Sequence, residues 1–123
     1  MPTICYFEIP ADDIEKIKKF YTELFGWKIE KYNGLADYWT ITTATPSGEK
    51  GISGGIEKRQ APEHRITVHI DVPSVDDFSA KIERLGGLVF VPKSTIPGEG
   101  YYAVCQDPEK NYFYIWEADK NAK

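Results

Sequence analysis

Set against itself with an offset of 61 positions, this 123-residue sequence aligns the apolar face of one candidate helix with that of another. Ile14, Ile17, Tyr21 and Leu24 fall on Val75, Phe78, Ile82 and Leu85, at intervals of three, four and three in both halves. Those intervals trace one face of an α-helix. The starts correspond as well. Asp12 with Glu15 and Ser74 with Asp77 both resemble capping boxes, with an acid in the first turn where the helix dipole favours it. Gly26 falls on Gly87, each placed to end its helix at positive φ. A duplication of this kind restricts the chain to folds made of two copies of one unit.

Strand signals fill each half in the same order. The segments 4–9 and 66–72 precede the helices, and 27–32 and 88–92 follow the glycines. Then come 38–43 and 101–106, and last 51–57 and 112–117. Each half reads as β-α-β-β-β. Turn chemistry separates the strands at Asn33-Gly34, at 45–48, at 97–100 and at 107–111, and 60–63 reads as the linker. The glycine-rich 97–100 segment reads as a mobile loop. The class is α+β. One domain spans 1–123, with module one at about 1–60 and module two at about 62–120. A module of ~60 residues is marginal alone, so the copies are expected to pack together or to exchange with those of a second chain.

Composition narrows the function. Fifteen Lys and Arg against 19 Asp and Glu leave a formal net charge of −4 and no basic stripe to neutralise phosphates, which argues against nucleic acid. No stretch approaches the ~20 apolar residues of a bilayer span, and the first residues lack a leader pattern, so a cytoplasmic setting is expected. Cys5 and Cys105 stand a hundred positions apart without a CxxC or Cys/His cluster, and read as small buried apolar residues in a reducing compartment.

Three segments in order resemble a known family. Phe7-Glu8-Ile9-Pro10-Ala11-Asp12-Asp13, with Phe20-Tyr21 and Leu24-Phe25-Gly26-Trp27, is similar to the opening of the vicinal oxygen chelate superfamily, which includes glyoxalase I, bleomycin-resistance proteins and extradiol dioxygenases. Val72-Pro73-Ser74-Val75-Asp76-Asp77 with Leu85-Gly86-Gly87 resembles its second module. Asp107-Pro108-Glu109-Lys110-Asn111 with Phe113 and Trp116-Glu117 resembles its closing hairpin. The resemblance covers almost the whole chain. It implies that two tandem βαβββ modules form a cupped mixed sheet with the ligand site inside the cup, and that a homodimer forms.

In metal-dependent relatives, His, Glu or Gln side chains from the first and last strands hold a divalent ion. The resemblance places the corresponding positions at Tyr6, Thr67, Tyr114 and near Gly54-Gly55, and none of these is a good donor to a hard cation. No metal or other cofactor is therefore expected, with a divalent metal as the alternative.

Strand periodicity puts Glu8 on the face of Tyr6 and His69 on the face of Thr67, and the offset sets Glu8 over His69. That acid and imidazole are candidates for an acid/base couple, for a displaced metal site, or for a buried structural pair. Tyr6, Trp39, Thr67, Tyr114 and Trp116 are the candidate ligand-binding residues; the aromatics among them favour a flat or apolar organic molecule. His64, in the linker region, is expected to be exposed. The reading is a small-molecule-binding protein or enzyme of this superfamily without the family metal. Its alternatives are a metal-dependent lyase, isomerase or dioxygenase, and a non-catalytic structural or regulatory protein.

Overall fold

The first helix begins where Asp13, in extended conformation, turns its carboxylate onto the Lys16 amide at 3.1 Å. Sequence reading places that cap at Asp12, but adjacent acids look alike in sequence and only the backbone geometry selects between them. The computed structural model describes residues 1–33 and 37–123, so Gly34 of the expected Asn33-Gly34 turn lies outside the described residues. In chain order the elements are β1 (Thr3–Ala11), α1 (Ile14–Phe25), β2 (Lys28–Lys31), β3 (Tyr38–Thr42), β4 (Ser53–Lys58), β5 (Thr67–Asp71), α2 (Val75–Arg84), β6 (Leu88–Ile96), β7 (Gly100–Gln106) and β8 (Tyr112–Ala118). The expected βαβββ order therefore occurs twice. Contacts divide the described residues into two compact units, Tyr6–Ile66 and Met1–Cys5 with Thr67–Lys123.

In the Tyr6–Ile66 unit the strands run β2-β3-β4-β1, with antiparallel pairs except for parallel β4 and β1. Ile9, Ala11, Ile29, Ile41 and Ile56 form a buried core, against which Ile14, Ile17, Tyr21, Phe7, Trp27 and Trp39 pack. Helix α1 ends at Gly26, whose φ of 72° is a left-handed conformation and whose amide donates to the Thr22 carbonyl at 2.9 Å. Leu24, the fourth position of the apolar stripe, is exposed instead of buried.

In the other unit the order is β5-β8-β7-β6, with β5 and β8 parallel and the remaining pairs antiparallel. Val72, Val75, Ala103, Cys105 and Ile115 make its core, with Phe78 and Ile82 of α2 against it, while Leu85 is exposed like its counterpart Leu24. Ser74 caps α2 by accepting from the Asp77 amide at 3.1 Å. The residue at positive φ is Gly86, at 92°, and not Gly87 as the offset implies. Gly87 follows it, donating to the Ile82 carbonyl at 2.9 Å, while Gly86 donates to Glu83 at 3.3 Å, a Schellman closure that needs its left-handed residue one place earlier.

The 97–100 segment is tied down and not a free loop. The Glu99 amide bonds the Ile96 carbonyl at 3.0 Å, the Gly98 amide bonds Ala122 at 2.9 Å, and Gly100 already belongs to β7. Both cysteines are free thiols. Cys105 is buried as expected; Cys5 is only partly so and reaches the His69 carbonyl at 3.5 Å. Among the described residues no helix is long and apolar enough to cross a membrane.

Candidate functional site

The face of the Tyr6–Ile66 sheet that turns away from α1 carries a row of polar side chains. On β1, Phe7 and Ile9 face the core, which sends Tyr6 and Glu8 to the opposite face. On β3, Ile41 and Trp39 face the core and Tyr38 takes the other side. The Tyr38 hydroxyl donates to Glu8 Oε2 at 2.7 Å and lies 2.7 Å from the Tyr6 hydroxyl. A phenol has one proton, so with Tyr38's given to Glu8 the remaining bond runs from Tyr6 to Tyr38. The row is thus a directed chain, from Tyr6 through Tyr38 to the Glu8 carboxylate. Glu8 is only 7% exposed.

Glycine makes this row possible. On the central strand β4, a Cβ at Gly55 would lie 1.9 Å from the Tyr38 hydroxyl oxygen and 2.8 Å from that of Tyr6. On the core face a Cβ at Gly54 would meet the Phe7 ring at 2.6 Å. The two glycines, unusual in a strand interior, admit aromatic side chains from both sides. Burial, and then the negative charge on Glu8, hold the Tyr38 hydroxyl far above the ordinary phenol range, so it acts as a neutral donor.

A second carboxyl lies on the same face. Burial, followed by the charge of Glu8, pushes Glu57 up to about 7 from an ordinary 4.5. His64 Nε2 sits 3.3 Å from Glu57 Oε1, and His64 Nδ1 accepts the Gln60 amide at 3.1 Å. With Nδ1 occupied as an acceptor, the ring proton is on Nε2 and points at Glu57. His64 was expected to be exposed, yet its side chain is 15% exposed, because the 59–65 turn folds it back onto β4.

Between about pH 4.5 and 7 the folded protein keeps the Glu57 proton that the unfolded chain has released, so this group's contribution to stability is complete below that window and fades as pH rises through it. Glu57→Gln should remove the loss. Relative to wild type, the variant should gain about 1–2 kcal/mol between pH 5 and pH 8 in denaturant titrations, less than the full ~1.4 kcal/mol per unit because solvent still reaches the carboxyl. A difference independent of pH would contradict this assignment.

The other unit has its own helix-free face. The His69 and Tyr114 rings stack at 4.3 Å and 3° on paired positions of β5 and β8, and Tyr102 stacks on Tyr114 at 6.0 Å. Trp116, on the same face of β8, covers Gly100, where a Cβ would approach the indole to 2.8 Å. Thr67 is buried at 7% exposure, and its hydroxyl has no hydrogen-bond partner among the described residues.

The structure thus brings Tyr6 and Glu8 into one network and sets His69 beside Tyr114. Glu8 and His69 belong to different units. Trp39, expected to line the ligand site, packs on the core side beneath α1, with Lys18 Nζ 4.2 Å from its ring centre. Its neighbour Tyr38 holds the network. Tyr38, Glu57 and His64 were missed as site residues. For Tyr38 a signal existed, because apolar Ile41 between two threonines marks the buried phase of β3 and puts 38, not 39, on the open face.

Two βαβββ units, each with polar or aromatic side chains on the sheet face opposite its helix, define a duplicated α+β protein. The chain belongs to the Glyoxalase/Bleomycin resistance protein/Dioxygenase superfamily, whose family profile matches residues 3–115. It is 35% identical over 81 residues to a glyoxylase-like domain-containing protein of Didymella fabae, covering 62% of this chain and 59% of that protein. It is 25% identical over 127 residues to the anthracycline biosynthesis protein DnrV of Streptomyces peucetius, covering 90% of this chain and 45% of that one. The chain spans about half the length of these curated relatives. Among solved structures, a superfamily member from Vibrio splendidus aligns with a TM-score of 0.69 at 11% identity, covering 97% of this chain and 100% of its own. Streptomyces coelicolor methylmalonyl-CoA epimerase aligns at 0.68 and 11%, covering 98% and 97%. At such identities the likeness shows the fold alone.

Members of this superfamily bind small-molecule substrates, often dimerise and often use a divalent metal. The residues present do not fit such an ion. Gly55 offers no donor, the space beside it is held by a phenol kept protonated, and that phenol occupies an oxygen of Glu8. Among the described residues no group of three or more His, Cys, Asp or Glu is arranged to hold a metal.

Proposed function

We propose that this chain is a small-molecule-binding protein of the superfamily that moves a proton on an apolar or aromatic ligand without the family metal. The observation that carries the reading is the Tyr38 hydroxyl, bonded at 2.7 Å to both Tyr6 and Glu8. In this reading Glu8 is the proton acceptor. Tyr38 orients its carboxylate by donating to Oε2 before the ligand arrives. Glu57, held protonated up to about pH 7, is the complementary acid on the same face. A carboxyl kept protonated beside one that accepts a hydrogen bond suits a donor and an acceptor working together.

For the other unit, the stacked His69, Tyr114 and Tyr102 rings support a surface for a flat molecule, with Thr67 and Trp116 as further ligand-binding residues and His69 as its candidate catalytic residue. A relative named for anthracycline biosynthesis is consistent with that ligand class, anthracyclines being fused aromatic rings. A homodimer and a cytoplasmic setting belong to the same proposal.

The test is a thermal-shift screen of flat aromatic acids, quinones and ketones. At a hundredfold excess over Kd a ligand adds about 2.7 kcal/mol, which raises Tm by roughly 8–14 °C in a chain of this size. Glu8→Gln should keep the fold and abolish exchange of the ligand's acidic C–H with deuterated solvent. Treatment with a chelator should leave the shift unchanged. A panel with no stabilising compound, or exchange that survives Glu8→Gln, would overturn the proposal.

A further inference from the structure

The turn after β4 gathers positive charge around a groove that the proton chain does not use. Arg59 donates from Nη1 to the His64 carbonyl and from Nε to Asp12 Oδ2 at 3.3 Å. Arg65 reaches the same His64 carbonyl from its own Nη1 at 3.2 Å, and also bonds the Pro62 carbonyl. Two guanidinium groups therefore converge on one backbone oxygen, and Lys58 Nζ adds a third cation at the Asp12 carbonyl, 3.0 Å away. Arg59, Arg65, Asp12, Gln60, Ala61 and Pro62 line an open groove of about 660 Å³. The acid among them, Asp12, has a side chain that is 82% exposed and hence well screened by water.

Pinning the turn does not require this arrangement. The bonds named use two of the five N–H donors of each guanidinium, so the planar forks retain donors suited to a bidentate acceptor. Holding two like charges together is unfavourable unless an anion offsets them, and Asp12 pairs with Arg59 at 3.3 Å from an exposed position. We infer that the groove between Arg59 and Arg65 binds an oxyanion group, a carboxylate or a phosphate.

The test titrates inorganic phosphate and, separately, benzoate into the protein at low salt, following backbone amide shifts by NMR. Saturable movement at Arg59, Gln60 and Ala61 is expected, with binding at least tenfold weaker in Arg65→Gln, partly restored in Arg65→Lys, and weakened by added salt. Arg65 is exposed, so far-UV circular dichroism should show its variants folded. Glu8→Gln should leave the phosphate titration unaltered, which separates this site from the proton chain. Movement with phosphate alone assigns the groove to a free phosphate, and movement with benzoate assigns it to the acidic group of a larger ligand. Absence of saturable shifts, or equal affinity in Arg65→Gln, would overturn the inference.

Discussion

Gly55→Ala should weaken ligand binding by at least tenfold and destabilise the protein by about 1–3 kcal/mol. The new methyl would stand 1.9 Å from the Tyr38 hydroxyl oxygen and 2.3 Å from the ring carbon that carries it, so the ring has to swing away. Both 2.7 Å bonds of the Tyr6-Tyr38-Glu8 chain go with it, and the Glu8 carboxylate loses its phenol donor while it remains buried. A double-mutant cycle makes the cause explicit. In a Tyr38→Ala background most of the obstruction is gone, leaving the Tyr6 hydroxyl at 2.8 Å, and Gly55→Ala should then cost under about 1 kcal/mol. An equal cost in both backgrounds would mean that glycine serves the strand itself and not the tyrosine.

One residue along, Ile56→Ala should have the opposite profile. Ile56 is fully buried, pairs with Ile9 on one side and Trp39 on the other, and belongs to the core beneath α1. Truncating it leaves a cavity that close-packed neighbours fill only in part, at about 2–5 kcal/mol, which lowers Tm by roughly 8–20 °C in a chain of this length. Because consecutive strand residues point to opposite faces, the Glu8 row should be untouched. Ile56→Val, costing about 0.5–1.5 kcal/mol, should retain the wild-type ligand affinity when measured well below its Tm. Loss of affinity in Ile56→Val would show that the two faces of β4 are coupled. A Tm within a few degrees of wild type in Ile56→Ala would show that the core relaxes around the gap.

Much of the architecture was legible because its signals are local. Helix periodicity needs only the residues of the helix, and Ile14, Ile17 and Tyr21, like Val75, Phe78 and Ile82, pack where the periodicity places them. The strand order followed from runs bounded by turn residues. Strand ends were less legible, since a strand ends where its partner stops pairing. β6 runs to Ile96 through two register shifts, one on each side of Val91, well past the expected 92, because β7 is there to receive it.

The site was legible in part. Tyr6 and Glu8 share a face by the two-residue period alone, and so do Thr67 and His69. The phase of β3 was misassigned at Trp39, since an aromatic residue suits either face of a half-buried strand and Ile41 was the better marker. His64 sits in a turn, where no periodicity applies, and its place against Glu57 depends on how residues 59–65 fold back.

The order of residues by itself determined the doubled βαβββ plan and the helix faces, since both are properties of spacing and residue type. Only the tertiary structure decided that Tyr38 joins Tyr6 to Glu8, that Gly55 makes room for it, and that Glu57 is held protonated beside them. Those facts depend on which strands become neighbours and on how much water their packing excludes, and neither quantity is carried by any single stretch of the chain.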